Sequence, residues 1–167
     1  LYATTWGDAN MSNAAQKYHS KAYLLYVRKF IEAVLDYTDA EKVDIITHSM
    51  GVTLTRKAIK GGVAFDDVEN VFFDLGMPLT NKIDAFVGIA GANKGLTSCY
   101  VTNGNTPTCN RINGFYPGNT SNNGLSEFLL DLNQTSHFEG NYVYSIWSLV
   151  DEVVCCGCLV YGQNTCK

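Results

Sequence analysis

Residues 42–54 read KVDIITHSMGVTL, and this stretch sets the architecture of the chain. Residues 43–46 are apolar and β-branched apart from one aspartate, which is typical of a short buried strand. After Ser49 the apolar residues return at helical spacing. The opposite, charged side of this helix carries Arg56, Lys57 and Lys60. We therefore expect Ser49 to lie where a strand turns directly into a helix, a turn so tight that Thr47 and Gly51 must be small.

A serine on such a turn, in the pattern small-x-Ser-x-Gly, is typical of the nucleophile elbow of α/β-hydrolases. The turn exposes the Ser49 hydroxyl, and the backbone N–H of Met50 points toward an oxyanion formed beside it. Because a serine hydroxyl is a weak nucleophile, a base must take its proton and a carboxylate must orient that base. The structural alternative is that Ser49 only caps the N-terminus of the helix.

The composition fits a single domain that covers residues 1–167, with 46% apolar and 17% charged residues. The net charge is −4 and there is no basic tract, so we expect no nucleic-acid partner. No apolar run is long enough for a transmembrane segment. Because the chain begins with Leu1 and not with Met, we expect a processed chain or a piece of a longer one.

Six cysteines indicate disulfides and an oxidising compartment, because their number is even and the chain is small. They are Cys99, Cys109, Cys155, Cys156, Cys158 and Cys166. The alternative is a zinc site at the C-x-x-C spacing of Cys155 and Cys158, which lacks a second ligand pair. Residues 98–123 form a long loop rich in Gly, Asn, Thr and Pro. We interpret it as a surface excursion closed by a disulfide, or as a flap that borders the substrate site.

Strands alternate with helices along the chain. We expect strands at residues 1–6, 43–46, 83–89 and 142–147, a long helix from about Asn13 to Tyr37, and a short helix at 125–132. On the long helix we expect a buried stripe of Leu24, Val27, Ile31, Val34 and Leu35, and a wet face of Lys21, Arg28, Glu32 and Asp36. The apolar strands predict an α/β fold, a mostly parallel sheet covered by helices on both faces.

Asp151 is the candidate for the orienting carboxylate. It follows the strand at 142–147 by a few residues, so it lies at the carboxyl edge of the sheet, like Ser49. It also follows Ser49 in the order Ser, then acid, that α/β-hydrolases use. Glu152, the next residue, is the other candidate for the orienting carboxylate. The structural alternative is that Asp151 is only a solvated carboxylate in a loop. The small-residue loop at 91–95 marks the same edge, where ligands meet open α/β sheets.

Four phrases carry a family resemblance: LYA at residues 1–3, KVDIITHSMG at 42–51, FVGIAGAN at 86–93 and YSIWSxxDEVV at 144–154. Together they resemble the class 2 lipases. The resemblance implies a partial α/β-hydrolase fold, hydrolysis of lipid esters, secretion and no cofactor. We also expect a monomer that acts at a lipid–water interface and binds no metal. The resemblance further implies that Ser49 is the nucleophile, Asp151 the acid and the N–H of Met50 an oxyanion donor.

The sequence departs from this family in its histidines. The family's catalytic His follows the acid, whereas His19, His48 and His137 all precede Asp151. The His-Gly motif that precedes the first strand in relatives, and supplies a second oxyanion donor, is also absent. We therefore expect a fragment that lacks the sheet strand beside residues 43–46 and is poorly stable and nearly inactive alone.

Two further functions stay open. A hydrolase-fold binding protein without the His would be inactive, and an acyltransferase would use the same site with an alcohol in place of water. Trp6, Phe115 and Tyr116 either line an acyl site or pack as core.

Overall fold

The structure is a computed structural model that describes residues 1–118, 124–154 and 157–166. Its helices are α1 (Lys21–Thr38), α2 (Met50–Lys60), α3 (Thr97–Val101) and α4 (Glu127–Asn133). Its strands are β1 (Val43–His48), β2 (Val63–Asp66), β3 (Val71–Asp74), β4 (Ile83–Ile89), β5 (Tyr142–Ile146), β6 (Leu159–Val160) and β7 (Gln163–Asn164). Short 3-10 turns lie at Met11–Gln16, Thr80–Lys82 and Pro107–Cys109. Within these residues no helix has the length and apolarity that a membrane crossing needs.

The central sheet is parallel and has the order β1-β4-β5. Phe86 of β4 pairs with Ile45 on one side and with Val143 on the other. Two antiparallel hairpins, β2–β3 and β6–β7, stand apart from this sheet. A parallel sheet flanked by helices confirms the predicted α/β fold, in a partial form.

Helix α1 begins later than predicted, at Lys21. Two side-chain caps start two separate elements: Asn10 accepts a hydrogen bond from the N–H of Ser12, and Ser20 accepts one from the N–H of Tyr23. The backbone at Lys17 is extended between them. The single long helix predicted from Asn13 is therefore wrong at its N-terminus, although its end at Thr38 agrees.

Two cations predicted to face water are buried. Arg28 donates to the carbonyl oxygens of Ala58 (2.9 Å) and Met77 (2.8 Å). Lys57 donates to the carbonyl oxygens of Gly61 and Val63 and to the Asp131 carboxylate; these Nζ–oxygen distances are 3.1, 3.2 and 2.9 Å. Helical spacing alone does not reveal these sites, because the long side chains reach acceptors at the ends of other elements.

Helix α2 covers one face of the sheet. Val52 packs so closely on Gly88 that a Cβ there would lie 3.1 Å from the valine. The opposite face is open within the described residues: Ile46 is 71% exposed, and Tyr142, Tyr144 and Ile146 are all more than half exposed. The prediction that helices cover both faces is therefore wrong for this structure, because α1 packs against α2 and leaves the second face bare.

Residues 1–6 are not a strand, contrary to the prediction. They lie along α1: the Trp6 and Tyr23 ring centroids are 5.2 Å apart, and the Thr4 and Tyr26 hydroxyl oxygens are 2.6 Å apart. An extended segment becomes a strand only when it finds a ladder partner, and these aromatic contacts hold it elsewhere. Among the residues described, β1 pairs only with β4, so its outer edge is free.

Two disulfides confirm the prediction made from the even cysteine count. Cys99 pairs with Cys109, which closes the long loop, and Cys158 pairs with Cys166. A disulfide-bonded Cys158 has no thiolate for zinc, so the C-x-x-C alternative is wrong at that position. Cys155 and Cys156 lie outside the described residues.

Candidate active site

Ser49 occupies a strained turn between β1 and α2. Its φ is +56° and its ψ is −131°, a conformation that a non-glycine residue rarely adopts. Ser49 also stands at the N-cap position of α2, where its side chain makes no capping hydrogen bond. The capping alternative therefore fails, and among the described residues the half-buried Ser49 side chain makes no hydrogen bond that explains the strain.

Hydrogen bonds align the carboxyl ends of the three parallel strands. The N–H of Ser49 donates to the carbonyl oxygen of Ile89 at 2.8 Å, and the N–H of Ala90 donates to that of Ile146 at 2.9 Å. Ser49 thus lies on the same edge as the end of β5, two strands away. Sequence reasoning missed Ala90, whose φ of +50° lets the chain leave the sheet beside Ser49.

Packing requires that the residue two positions after the serine has no side chain. A Cβ on Gly51 would lie 2.9 Å from Oγ1 of Thr47 and 3.5 Å from the indole nitrogen of Trp6. The predicted strand–Ser–helix turn is confirmed, and Trp6 packs against it. Phe115 and Tyr116 are buried, as expected of core residues.

Met50 is the first residue of α2, so its N–H belongs to the first helical turn and has no intrahelical partner. That N–H lies at the positive end of the helix dipole, next to the Ser49 turn. The geometry suits an anion that forms beside the serine hydroxyl. It is the arrangement that the sequence predicts for an oxyanion donor.

Asp151 lies in the loop that leaves β5 at the carboxyl edge. Its Oδ1 accepts the N–H groups of Val153 (3.0 Å) and Val154 (2.7 Å), which fixes the carboxylate orientation. Within the described part of the chain, Oδ2 accepts no hydrogen bond and stays available to a further donor. Asp151 is half-buried, whereas its rival Glu152 is exposed.

Histidines are poorly placed to link Ser49 and Asp151. His48, like Ile46, is exposed on the open face of the sheet. His137 lies at the other edge, because the next residue accepts a hydrogen bond from Thr80, just before β4 begins. His137 thus precedes the acid in the chain, unlike the catalytic histidine of the family, and it also lies at the edge of the sheet opposite Ser49.

His19 is fully buried, and it precedes α1 rather than lying on it. Its Nδ1 lies 2.6 Å from the carbonyl oxygen of Asn113, and its Nε2 lies 2.7 Å from Oγ1 of Thr53. Burial lowers the pKa of His19 to about 3, and the Asn113 hydrogen bond opposes this only in part. A neutral imidazole with both nitrogens occupied is a structural group. Sequence reasoning gave no sign of this contact, because 34 residues separate the two side chains.

Side chains that suit a metal do not converge here: no cluster of three or more His, Cys, Asp or Glu residues is present in the part of the chain that the structure describes. The arrangement offers nucleophilic chemistry, with a strained serine, a helix N-terminus and a carboxylate on one sheet edge.

A parallel sheet with a serine on a strained strand-to-helix turn is the architecture of the α/β-hydrolases. A comparison with curated proteins finds no match. The family model of class 2 lipases matches residues 1–167, so the chain belongs to the class 2 lipase family. The resemblance drawn from the four sequence phrases is thereby confirmed, and the protein is a lipase-like hydrolase.

Proposed function

We propose that this protein hydrolyses lipid esters by acyl transfer through Ser49. The observation that carries the proposal is the Ser49 backbone, held at φ +56° in a turn where the side chain caps nothing. Strain of this kind costs on the order of 1–3 kcal/mol and persists where function needs it. Membership of the lipase family supports the same chemistry.

In this mechanism the Ser49 oxygen attacks the ester carbonyl carbon, and the alcohol leaves as the acyl-enzyme forms. The N–H of Met50 stabilises the negative oxygen of the tetrahedral intermediate. Water then attacks the acyl-enzyme and releases the fatty acid. No cofactor takes part in either step.

Asp151 orients the base in this proposal. Backbone N–H groups fix its Oδ1, and among the described residues Oδ2 accepts no hydrogen bond, so Oδ2 can accept an imidazole N–H. His19, His48 and His137 do not fit the role of that imidazole, and we propose that it comes from outside these 167 residues. The positions of the three histidines also favour a second candidate, a hydrolase-fold lipid-binding protein without catalysis.

We further propose that the protein is secreted and monomeric. The two disulfides support an oxidising compartment, because cytosolic thiols are kept reduced.

A fluorophosphonate probe and p-nitrophenyl esters test the proposal. We expect the intact protein, meaning residues 1–167 together with the segment proposed to carry the histidine, to be labelled at Ser49 and to turn over the ester, and its Ser49→Ala variant to lose both. Asp151→Asn should lower kcat by about 10⁴-fold, as the loss of an orienting carboxylate does elsewhere. Ser98→Ala, at an exposed serine on α3, is the matched control and should change neither readout.

Absence of both labelling and turnover in the intact protein would favour the binding protein. Equal turnover by Ser49→Ala and the unmodified protein would contradict the assignment of the nucleophile.

A further inference from the structure

Two asparagines in the described part of the chain carry the acceptor pattern for N-linked sugar, Asn-x-Ser/Thr. The patterns begin at Asn10 and Asn133, with Ser12 and Thr135 as their hydroxyl residues. A third pattern begins at Asn119, which lies outside the described residues. The pattern marks an acceptor on the surface of a secreted protein, but it is short and also occurs by chance. The contacts of each side chain therefore decide between the two asparagines.

The side-chain amide of Asn10 has a free nitrogen. Asn10 is exposed, and its Oδ1 accepts both the N–H of Ser12 at 3.1 Å and the hydroxyl of Ser12 at 2.7 Å. Because a backbone N–H only donates, the atom that faces it must be the oxygen, and this fixes the orientation of the amide. Nδ2 lies on the other side and makes no hydrogen bond within the part of the chain that the structure describes.

The turn that presents Asn10 is held by the Asp8 carboxylate. Asp8 accepts the backbone N–H of Asn10 at 3.1 Å and Nδ2 of Asn13 at 2.8 Å. It also lies 2.6 Å from Nζ of Lys17. Asn10 in turn caps the 3-10 turn at Met11–Gln16. The folded protein therefore presents this asparagine at the surface, on a turn with a fixed shape.

The side-chain amide of Asn133 is already used by the fold. Asn133 is the last residue of α4, and its Nδ2 donates to the carbonyl oxygen of Asn93 at 2.9 Å. Its Oδ1 lies 3.5 Å from Nη1 of Arg56, whose guanidinium pairs with the buried Glu139 carboxylate. A sugar on Nδ2 competes with these contacts, because the linkage leaves the nitrogen one hydrogen and places a sugar ring beside Asn93.

We propose that Asn10 is an N-glycosylation site and that Asn133 is not. The proposal rests on the proposed secretion, because secretion brings the chain into the compartment where such sugars are attached. The two asparagines have the same sequence pattern. The exposed, unbonded amide nitrogen at the first and the engaged one at the second separate them.

The transfer needs a donor, which is an oligosaccharide linked through a diphosphate to a polyprenol lipid. Nδ2 of Asn10 forms a bond to the anomeric carbon of the first sugar and loses one hydrogen as a proton. The bond between that carbon and the diphosphate oxygen breaks, and the diphosphate leaves with the electron pair. The proton passes to a base of the transferase, and nothing is oxidised or reduced.

Mass spectrometry of the intact protein, secreted from cultured eukaryotic cells behind a supplied leader, tests the proposal. Peptide N-glycosidase in water labelled with heavy oxygen converts each glycosylated asparagine to labelled aspartate. Trypsin with a glutamate-specific protease yields one peptide that ends at residue 17 and another at residues 128–139, so the two sites are read separately. We expect label at Asn10 and an unchanged Asn133.

Three variants probe the acceptor pattern. Ser12→Ala keeps Asn10 and removes the hydroxyl, so the sugar should be lost completely, whereas Ser12→Thr should retain it. Asn13→Gln is the matched control, because Asn13 is exposed in the same turn and lies outside the pattern. The occupancy of Asn10 should be unchanged in that variant.

Unlabelled Asn10 in the secreted protein would overturn the proposal. So would label at Asn133, or a sugar on Asn10 that survives Ser12→Ala. Turnover of p-nitrophenyl acetate by the same secreted protein is measured in parallel. Its absence, with Asn10 labelled, would defeat the proposed hydrolysis and leave the glycosylation site standing.

Discussion

At the scale of the residue, the Ser49 turn depends on a neighbour that has no side chain. Gly51 has no side chain, and the space that a Cβ would need is taken by Oγ1 of Thr47 and the indole of Trp6. The strain in the Ser49 backbone is held in place by this packing from both sides. The conformation is thus a property of several residues and not of the serine alone.

We predict that Gly51→Ala destabilises the protein by up to about 2 kcal/mol. Overpacking costs about 1–3 kcal/mol, and the better helix propensity of alanine returns about 1 kcal/mol. Urea unfolding measures the change in the free energy of unfolding. Thr47→Ala in the Gly51→Ala background should recover most of the loss, because it removes the atom 2.9 Å from the new methyl group. A simple gain in stability from Gly51→Ala would contradict the contact.

His19 gives the protein a pH dependence in its stability. Burial lowers its pKa from 6.5 to about 3, so between these values the unfolded chain binds a proton that the folded protein does not. The stabilisation is complete above pH 6.5 and is lost as the pH falls toward 3, on the order of 5 kcal/mol in all.

We expect His19→Gln to flatten this dependence. The difference in the free energy of unfolding between the two proteins, measured by urea titration from pH 7 to pH 4, isolates the histidine because other groups cancel. Parallel curves over that range would show that His19 is protonated in the folded protein.

At the scale of the element, a buried ion pair joins α2 to the segment before β5. The Nε of Arg56 lies 2.8 Å from a Glu139 carboxylate oxygen, and the two side chains are 11% and 7% exposed. Arg56 also donates to the side-chain oxygen of Asn93 at 3.0 Å and lies over the ring of Phe138. One guanidinium therefore fixes α2 against two loops at once.

We predict that Glu139→Ala costs about 3–5 kcal/mol of stability, because it leaves the Arg56 charge buried without its carboxylate. Replacing both partners, Arg56→Met with Glu139→Leu, should cost less than the single change. Thermal or urea unfolding measures both. Glu69→Ala, which breaks the exposed pair with Lys21, is the control and should cost less than about 1 kcal/mol. Equal losses for Glu139→Ala and Glu69→Ala would contradict the importance of burial.

The elements that sequence predicts best are those with a strong local pattern. Strand β4 lies at the predicted residues 83–89, and α2 begins directly after Ser49, because apolar runs and a tight turn specify them locally. Residues 1–6 have the composition of a strand but no ladder partner, and a partner cannot be read from the segment itself. The sequence does not predict the β2–β3 hairpin, because residues 63–74 show no clear hydrophobic periodicity.

In the candidate site, too, a local pattern predicts some features and gives no sign of others. The Ser49 turn follows from a short motif, and the edge that carries Asp151 follows from strand direction. Contacts between distant segments, such as those of His19 with Thr53 and Asn113, leave no local signal.

At the scale of the whole molecule, the sheet has one covered and one open face. Phe86 points toward α2 and is 2% exposed, whereas Tyr144 on the neighbouring strand is on the opposite face and is 55% exposed. The free energy of folding that the sheet contributes therefore comes mainly from one side. Substitutions of residues of similar size should therefore change the stability by different amounts on the two faces.

We predict that Phe86→Ala costs about 3–5 kcal/mol, because it removes a buried ring and leaves a cavity. Tyr144→Ala should cost about 1 kcal/mol or less, as exposed positions do. Both values come from urea unfolding of the intact protein. Comparable losses would mean that another part of the protein covers the open face.

Among the described residues β1 has a free outer edge, and this edge bears on how the protein behaves in concentrated solution. A row of backbone donors and acceptors without a partner strand is a template on which a second polypeptide can extend the sheet, and Ile46 beside it favours such growth. Asp44 places a negative charge on that strand, where its Oδ1 accepts the N–H of Ala85 on the β4 side, and like charges in stacked copies would repel one another. That carboxylate would then oppose fibril growth through this edge.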